Sequence, residues 1–455
     1  MTGDSTIKKI TLPNGLQIIY ENPENSIKVS SMQLFCNIGN IHFPRRLSGV
    51  THLIEHMCFK GTKEHPDFIP VLLDFEDSGA EYNGYSTPRF TTYIVKCPDS
   101  SFGKSLKNLS EEVLNSDFDK KKFKKEEKVV IEENVINADN PNLVLNIMTN
   151  SSLYENTPFQ YPTDDISYHR QPFDYNEVFE IYRQHYIPSN MLLSIVSNLP
   201  FSKVLAVIKK THLAANPRSK VGSLHQQMLP LFVRPPIIAG PKYKLQRISN
   251  LNATYLNLSF QTCNQYALKE KHILSLLSNI LCNSLASRLN KVLRQHYGLV
   301  YNIGAITEFN ESGGEFTIVT KFDSASFIKK GEPSVLPILI SELNKLNRNG
   351  VTPSEVTIFK HNLQGHLALE LENIDNQAKY NGLYFLLIGD PRHFVPYEQI
   401  YNKCYASITR GQINACIRKY FCLERLCVSV VGNHIPPLAL LERECEKLQN
   451  KKGSK

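Results

Sequence analysis

The stretch Thr51-His52-Leu53-Ile54-Glu55-His56-Met57-Cys58-Phe59-Lys60-Gly61-Thr62 contains H-x-x-E-H, the reverse of the metal-binding pattern H-E-x-x-H. On a helix, His52 and His56 stand at i and i+4, so both imidazoles leave one face about one turn apart and can grip one zinc ion. Glu55 shares that face, where its carboxylate can hold a water. Val50, Leu53, Ile54, Met57 and Cys58 form a second, apolar stripe of the kind that packs on a core. The spacing therefore predicts a site helix with Ser48 as its N-cap and Gly61 as its stop. The competing reading is a surface helix with two solvated imidazoles.

Two histidines leave a catalytic zinc one protein ligand short. The run Glu126-Glu127-Lys128-Val129-Val130-Ile131-Glu132-Glu133-Asn134 is strongly helical and rich in carboxylates. Glu126 and Glu133 lie two turns apart on one face, so either could reach a shared ion. Lys120 to Lys125 precede them, and such charge runs are usually only a solvated face.

The chain resembles the pitrilysin family of inverted-motif zinc peptidases, which includes insulin-degrading enzyme and mitochondrial processing peptidase. In that family a Glu far downstream of the second His completes the site and closes a phrase of the type E-R-x-V-V-x-E-E. Glu127 to Glu133 reads the same way. The resemblance thus implies Glu133 as third ligand and Glu126 as an auxiliary residue behind the metal. It extends to Thr11-Leu12-Pro13-Asn14-Gly15-Leu16 and to Tyr182–Asn198. It also covers Ser287-Arg288-Leu289 through Arg294, Gly298, Leu299 and Tyr301, which match S-R-L-x-x-x-x-R-x-x-x-G-L-x-Y. Gly79 to Tyr93 is similar to a G-x-x-x-N-A-x-T segment that forms an edge strand beside the metal; Asn83, Gly84, Tyr85, Ser86 and Thr87 are the implied substrate-binding edge. The sequence departs from the family pattern at Gly39-Asn40-Ile41-His42, at Gly84, where alanine is usual, and at Asn134.

With 455 residues, 42% hydrophobic and 21% charged, the chain has room for two or three globular domains. No apolar run is long enough to span a membrane, and no secretory or mitochondrial leader is evident, so a cytoplasmic, membrane-free protein is expected. Ten cysteines without C-x-x-C spacing imply reduced, largely buried thiols. A net charge of +8 with no nucleic-acid motif argues against a nucleic-acid partner. Tyr182–Asn198 can be laid over Ile417–Asn433, so the same unit closes each half. Ile27–Phe35 and Ala253–Phe260 read as strands, and Leu274–Leu293 and Ser334–Leu346 as helices. The expected fold class is α+β, with two similar domains, each an antiparallel-rich mixed sheet covered by helices. The expected division is 1–213, a Pro- and Gly-rich linker over 214–245, and 246–455.

What the resemblance implies chemically is a zinc endopeptidase acting on short or unfolded polypeptides in an enclosed chamber, with one zinc per chain. Glu55 would serve as general base. Arg294 and Tyr301 would anchor substrate and stabilise the oxyanion, and the edge at Asn83–Thr87 would take the peptide as an added strand. In the family the Arg/Tyr pair comes from the opposite half of the chamber. This chain carries both parts, which implies a homodimer with two shared sites. The alternatives are a non-catalytic core or partner subunit of a processing-peptidase-like or respiratory assembly, and a targeting-sequence peptidase with a distinct partner chain.

Overall fold

The computed structural model describes residues 7–161, 163, 172–215, 238 and 240–448. Most of the expected linker at 214–245 lies outside them. The chain separates into two compact units. The first comprises Met1–Ile136, Tyr161–Leu231 and Leu369–Glu398; the second comprises Asn137–Gln160, Phe232–Ala368 and Gln399–Lys455.

Unit 1 is built on six strands: β1 (Lys8–Thr11), β2 (Gln17–Glu21), β3 (Val29–Cys36), β4 (Glu81–Ser86), β5 (Thr91–Pro98) and β6 (Met191–Val196). Their order is β1-β2-β6-β3-β5-β4. Among the described residues only β2 and β6 run parallel; the other pairs are antiparallel. One face is covered by α1 (Val50–Cys58), α2 (Ile69–Asp77) and α3 (Phe102–Leu114), by α4 (Lys120–Ala138), and by the helices Tyr175–His185 and Phe201–Ile208. Unit 2 repeats the plan with β7 (Lys242–Arg247), β8 (Thr254–Thr262), β9 (Asn302–Phe309), β10 (Gly314–Phe322) and β11 (Leu426–Gly432), in the order β7-β11-β8-β10-β9. Again a single pair, β7 and β11, is parallel. The architecture is the expected α+β class, twice.

The central strands are buried on both faces: every residue of β6 and β11 is buried. Each sheet therefore needs a helix on its second face as well. That helix comes from the other half of the chain. The helix Ile374–Leu387 packs on β3 and β6 in unit 1, and Pro141–Leu153 packs on β8 and β11 in unit 2. The fit is close. A Cβ on Gly382 would lie 2.2 Å from a ring carbon of Phe35. Ser194 Oγ donates to the Ala378 carbonyl at 2.7 Å, and Asn381 Nδ2 donates to buried Glu21 at 2.6 Å. A contiguous division at 213 and 246 does not describe this packing, because burial of a two-sided sheet draws one helix across from each half.

The strand and helix bounds shift from expectation by one to three residues, except at Leu274–Leu293. There the helix runs Leu268–Leu281, breaks, and resumes as a π-helical turn at Asn290–His296. The break is held by buried Asn290, whose Nδ2 donates to the Cys282 and Ile303 carbonyls. The repeat seen in the sequence holds in three dimensions. The helix Tyr175–His185 passes through a 3-10 turn at Pro188–Asn190 into β6, and the helix Arg410–Tyr420 passes through Leu423–Arg425 into β11. All ten cysteines are free thiols, eight of them buried. Among the described residues, no helix is long and apolar enough to cross a membrane.

Candidate metal centre

Helix α1 forms because its apolar stripe has a core to meet: Val50, Leu53, Ile54, Met57 and Cys58 are all fully buried. Its start differs from the expected Ser48 cap. Gly49 precedes the helix with φ of 83°, a left-handed conformation that favours glycine. Asn40 Oδ1 accepts from the Gly49 N–H at 3.2 Å, and Ser48 Oγ turns away to the Thr163 carbonyl. The helix also ends at Cys58, before Gly61. Asn40, a departure from the family pattern, thus anchors the entry to the site helix.

The polar stripe carries His52, Glu55 and His56, whose donor atoms lie within 4.8 Å of one another. The two Nε2 atoms are 3.1 Å apart. Helix α4 brings up the third group. It turns one face inward through Phe123, Glu126 and Val130, and Glu133 continues that face. Glu133 Oε2 lies 3.6 Å from His52 Nε2 and 3.7 Å from His56 Nε2. The lysines at 120, 121, 124 and 125 are exposed, as a solvated face should be.

Those separations test a metal directly. A tetrahedral zinc with bonds of about 2.1 Å has ligand atoms about 3.4 Å apart. The observed triangle of 3.1, 3.6 and 3.7 Å is that size. Two imidazoles and a carboxylate are also the donor set of a three-ligand site with an open fourth position. The residues fit the ion.

Behind this triangle, Glu126 Oε2 lies 3.4 Å from His56 Nδ1 and 3.2 Å from Lys60 Nζ. Burial raises the Glu126 carboxyl, but His56 and the Lys60 ammonium together hold it below the usual carboxylate range. A carboxylate accepting from Nδ1–H leaves the Nε2 lone pair facing the metal position. Lys60 was not among the residues singled out from the sequence. It lies in the turn just past Cys58, where the helix has ended, and reaches Glu126 from there.

Strand β4 is outermost in its sheet, with β5 as its only strand neighbour among the described residues. Gly84 and Ser86 face α1, and Ser86 Oγ donates to the Thr51 carbonyl at 3.1 Å. Tyr85 points to the opposite face, against Phe90. Asn83 bonds the Gly84 N–H through its own side chain. Thr87 lies beyond the strand, and its hydroxyl and N–H both donate to the Phe90 carbonyl. Asn83 to Ser86 are therefore edge residues, whereas Thr87 closes the turn.

In unit 2, Arg294 and Tyr301 come together, with the guanidinium 5.8 Å from the ring centroid. Tyr301 is 80% exposed. The surrounding phrase is a frame for them. Arg288 makes two short bonds to Glu355, Asn290 pins the break in the helix, and Gly298 turns the chain at φ of 62°.

Comparison with known proteins places the chain among peptidases at the level of family and fold. Residues 18–165 match the family model described as insulinase (peptidase family M16). Residues 172–363 match the one described as the peptidase M16 inactive domain. A Bacillus subtilis protein named uncharacterized zinc protease YmxG is 25% identical over 418 residues, covering 91% of this chain and 96% of its own. The crystal structure of a Helicobacter pylori protease superposes with a TM-score of 0.83 at 18% identity, covering 94% of this chain and 99% of that one. The periplasmic protease PqqL from Escherichia coli superposes with a TM-score of 0.74 at 16% identity; the match covers 100% of this chain but 51% of PqqL.

Proposed function

We propose, starting from the fact that this chain belongs to the insulinase (M16) family of peptidases, that it is a zinc-dependent endopeptidase whose metal is held by His52, His56 and Glu133. The observation that carries this reading is the triangle of two Nε2 atoms and Glu133 Oε2, with Glu55 on the same face of α1. When bound there, zinc would lower the pKa of water and draw electrons from the scissile carbonyl. Glu55 accepts the proton of the attacking water and passes it to the leaving amine. Glu126 keeps His56 in the tautomer that presents Nε2. The peptide lies along the outer edge of β4, bonding backbone to backbone. This demands an extended substrate, so short or unfolded polypeptides are cut and folded proteins are spared.

Arg294 and Tyr301 are proposed to hold the substrate and the developing oxyanion. Both are exposed and paired with each other, as residues awaiting a ligand are. The chain carries both the zinc motif and the Arg/Tyr pair, which favours a second copy of this chain as the partner that completes each site. The match to an inactive domain lies over 172–363, outside the segment that holds the three donors.

Metal analysis of purified protein, with peptide cleavage measured before and after chelation, tests the reading. About one zinc per chain and chelator-sensitive cleavage restored by added zinc are expected. Full metal content with no cleavage of any unfolded peptide would favour the non-catalytic partner subunit instead.

A further inference from the structure

We propose that Glu64, Glu111 and His212 form a second metal site in unit 1, one that takes a divalent ion of the zinc class. Among the described residues, two groups of three His, Cys, Asp or Glu bring their donor atoms within 4.8 Å of one another. One is the set on α1. The other joins Glu64, just beyond α1, to Glu111 of α3 and to His212, all in unit 1. It shares no residue with the peptidase site and does not depend on that reading.

The distances suit an ion. Glu111 Oε2 lies 3.0 Å from His212 Nε2, and Glu64 Oε1 lies 3.9 Å from the same nitrogen. These bracket the spacing of about 3.4 Å between ligand atoms of a tetrahedral zinc. An imidazole with two carboxylates also selects the metal. Zinc and its transition-metal neighbours accept such a mixed set, whereas calcium and magnesium prefer oxygen donors.

The backbone around each donor is already tied down. Glu111 is 2% exposed, and its Oε1 accepts from Asn115 Nδ2 at 2.7 Å, which leaves Oε2 to face His212. A hydrogen bond to the far oxygen is what orients a metal-bound carboxylate. His212 is placed through its neighbour Leu213. The Leu213 N–H donates to Ser110 Oγ at 3.1 Å, and its carbonyl accepts from Asn14 Nδ2 at 2.7 Å. Glu64 sits in a turn where the Thr62 N–H donates to the His65 carbonyl and the Lys63 N–H to the Asn115 carbonyl, both at 2.9 Å. Asn115 therefore serves two donors: its side chain orients Glu111 and its carbonyl anchors the turn of Glu64. Only the exposed Glu64 side chain has to close on the ion, so little ordering opposes binding. A bound ion would staple the segment leaving the site helix to α3 and to His212.

Zinc titrated into metal-free, full-length protein and followed by calorimetry tests the site. Wild type should take up two ions per chain. The weaker belongs to this cluster, because Glu64 is exposed, and it is lost on purification while the tight one stays. Glu64→Gln and His212→Gln should each weaken the second ion by at least the roughly 10- to 100-fold that follows loss of even a supporting group. The tight ion and chelator-sensitive cleavage should remain in both. Glu133→Gln should do the reverse, losing the tight ion and keeping the weaker one. Zinc should then raise the Tm of Glu133→Gln but not of Glu64→Gln/Glu133→Gln. Absence of cleavage in wild type would sink the peptidase reading and leave these binding measurements to judge the second site. Zinc uptake that is the same in wild type, Glu64→Gln and His212→Gln overturns the proposal: Glu111 and His212 are then an ion pair only, and any weaker ion is adventitious.

Discussion

The two units are one plan built twice, and they part company at the helix leading to the edge strand. In unit 1, α1 lies between β3 and β4; in unit 2, Leu268–Leu281 lies between β8 and β9. Both helices bury an apolar stripe. Helix α1 adds a polar one, with two imidazoles a turn apart and carboxylates facing them. The unit 2 helix has a lone histidine, His272, set edge-on to Tyr405 at 4.9 Å. Burial, aided by Lys271, pushes that imidazole down to about 4. It is a neutral packing group. A sheet-and-helix frame therefore carries no chemistry by itself; a few side chains on one face of one helix do.

That contrast breaks most completely at the metal. Glu133→Gln should strip nearly all the zinc, and cleavage with it, whereas Glu55→Gln should keep zinc and lose roughly 10²–10⁴-fold in turnover. Metal analysis alongside turnover separates the two. Full zinc in Glu133→Gln would mean that the third donor is another residue.

A second break asks whether the unit without metal still contributes to catalysis. Mixing Glu55→Gln with a chain carrying Arg294→Ala and Tyr301→Phe should restore up to about a quarter of wild-type activity by random exchange, if sites are shared within a dimer. No recovery despite demonstrated exchange would confine each site to a single chain.

The exchanged helix sharpens the comparison on the scale of stability. Gly382→Ala drives a methyl into the Phe35 ring and should cost about 1–3 kcal/mol, read as a lowered Tm. Gly365, in the helix Pro353–Glu370 of unit 2, has nothing within 4 Å of an added Cβ. Gly365→Ala should therefore be neutral or gain up to about 1 kcal/mol. Equal effects at the two glycines would contradict the close packing of Ile374–Leu387.

The smallest effect should appear with pH. Glu315 on β10 pairs across the sheet with Glu308 on β9. Burial, and then Glu308, push the Glu315 carboxyl up to about 8. Its folded pKa lies above the unfolded value, so the folded protein favours the neutral form. That preference is fully present at low pH and is lost as pH rises from about 4.5 towards 8. Glu315→Gln should accordingly raise stability by about 1–2 kcal/mol near pH 8 and change little near pH 4.5. Melting curves at the two pH values check the sign.

Much of the candidate site was legible in order along the chain. His52, Glu55 and His56 announce themselves by spacing, because a helix converts a step of four into a shared face. The same rule puts Glu126 and Glu133 on one face, and only the resemblance singles out Glu133 as the ligand. Lys60 escapes the rule: it lies in the turn beyond Cys58, and only the fold brings its ammonium to Glu126. The helix is entered through Gly49 rather than Ser48, because the turn there needs a left-handed backbone, and Asn40, nine residues away, accepts from the Gly49 N–H. Thr87 reads as edge in the sequence, but the strand ends at Ser86, because its end is set by the turn, here by the bonds to Phe90.

The sequence by itself determined the α+β class, the repeated closing unit, and the site helix with its two stripes. These depend on local periodicity and on residues a few turns apart, which the order of the chain records. Only the tertiary structure decided which helix covers which sheet, how Glu64, Glu111 and His212 meet, and that the donor atoms of His52, His56 and Glu133 form a triangle of zinc size. Those facts arise where segments far apart in sequence press together. Excluded volume and the burial of two-sided strands act there between partners that the linear order does not name.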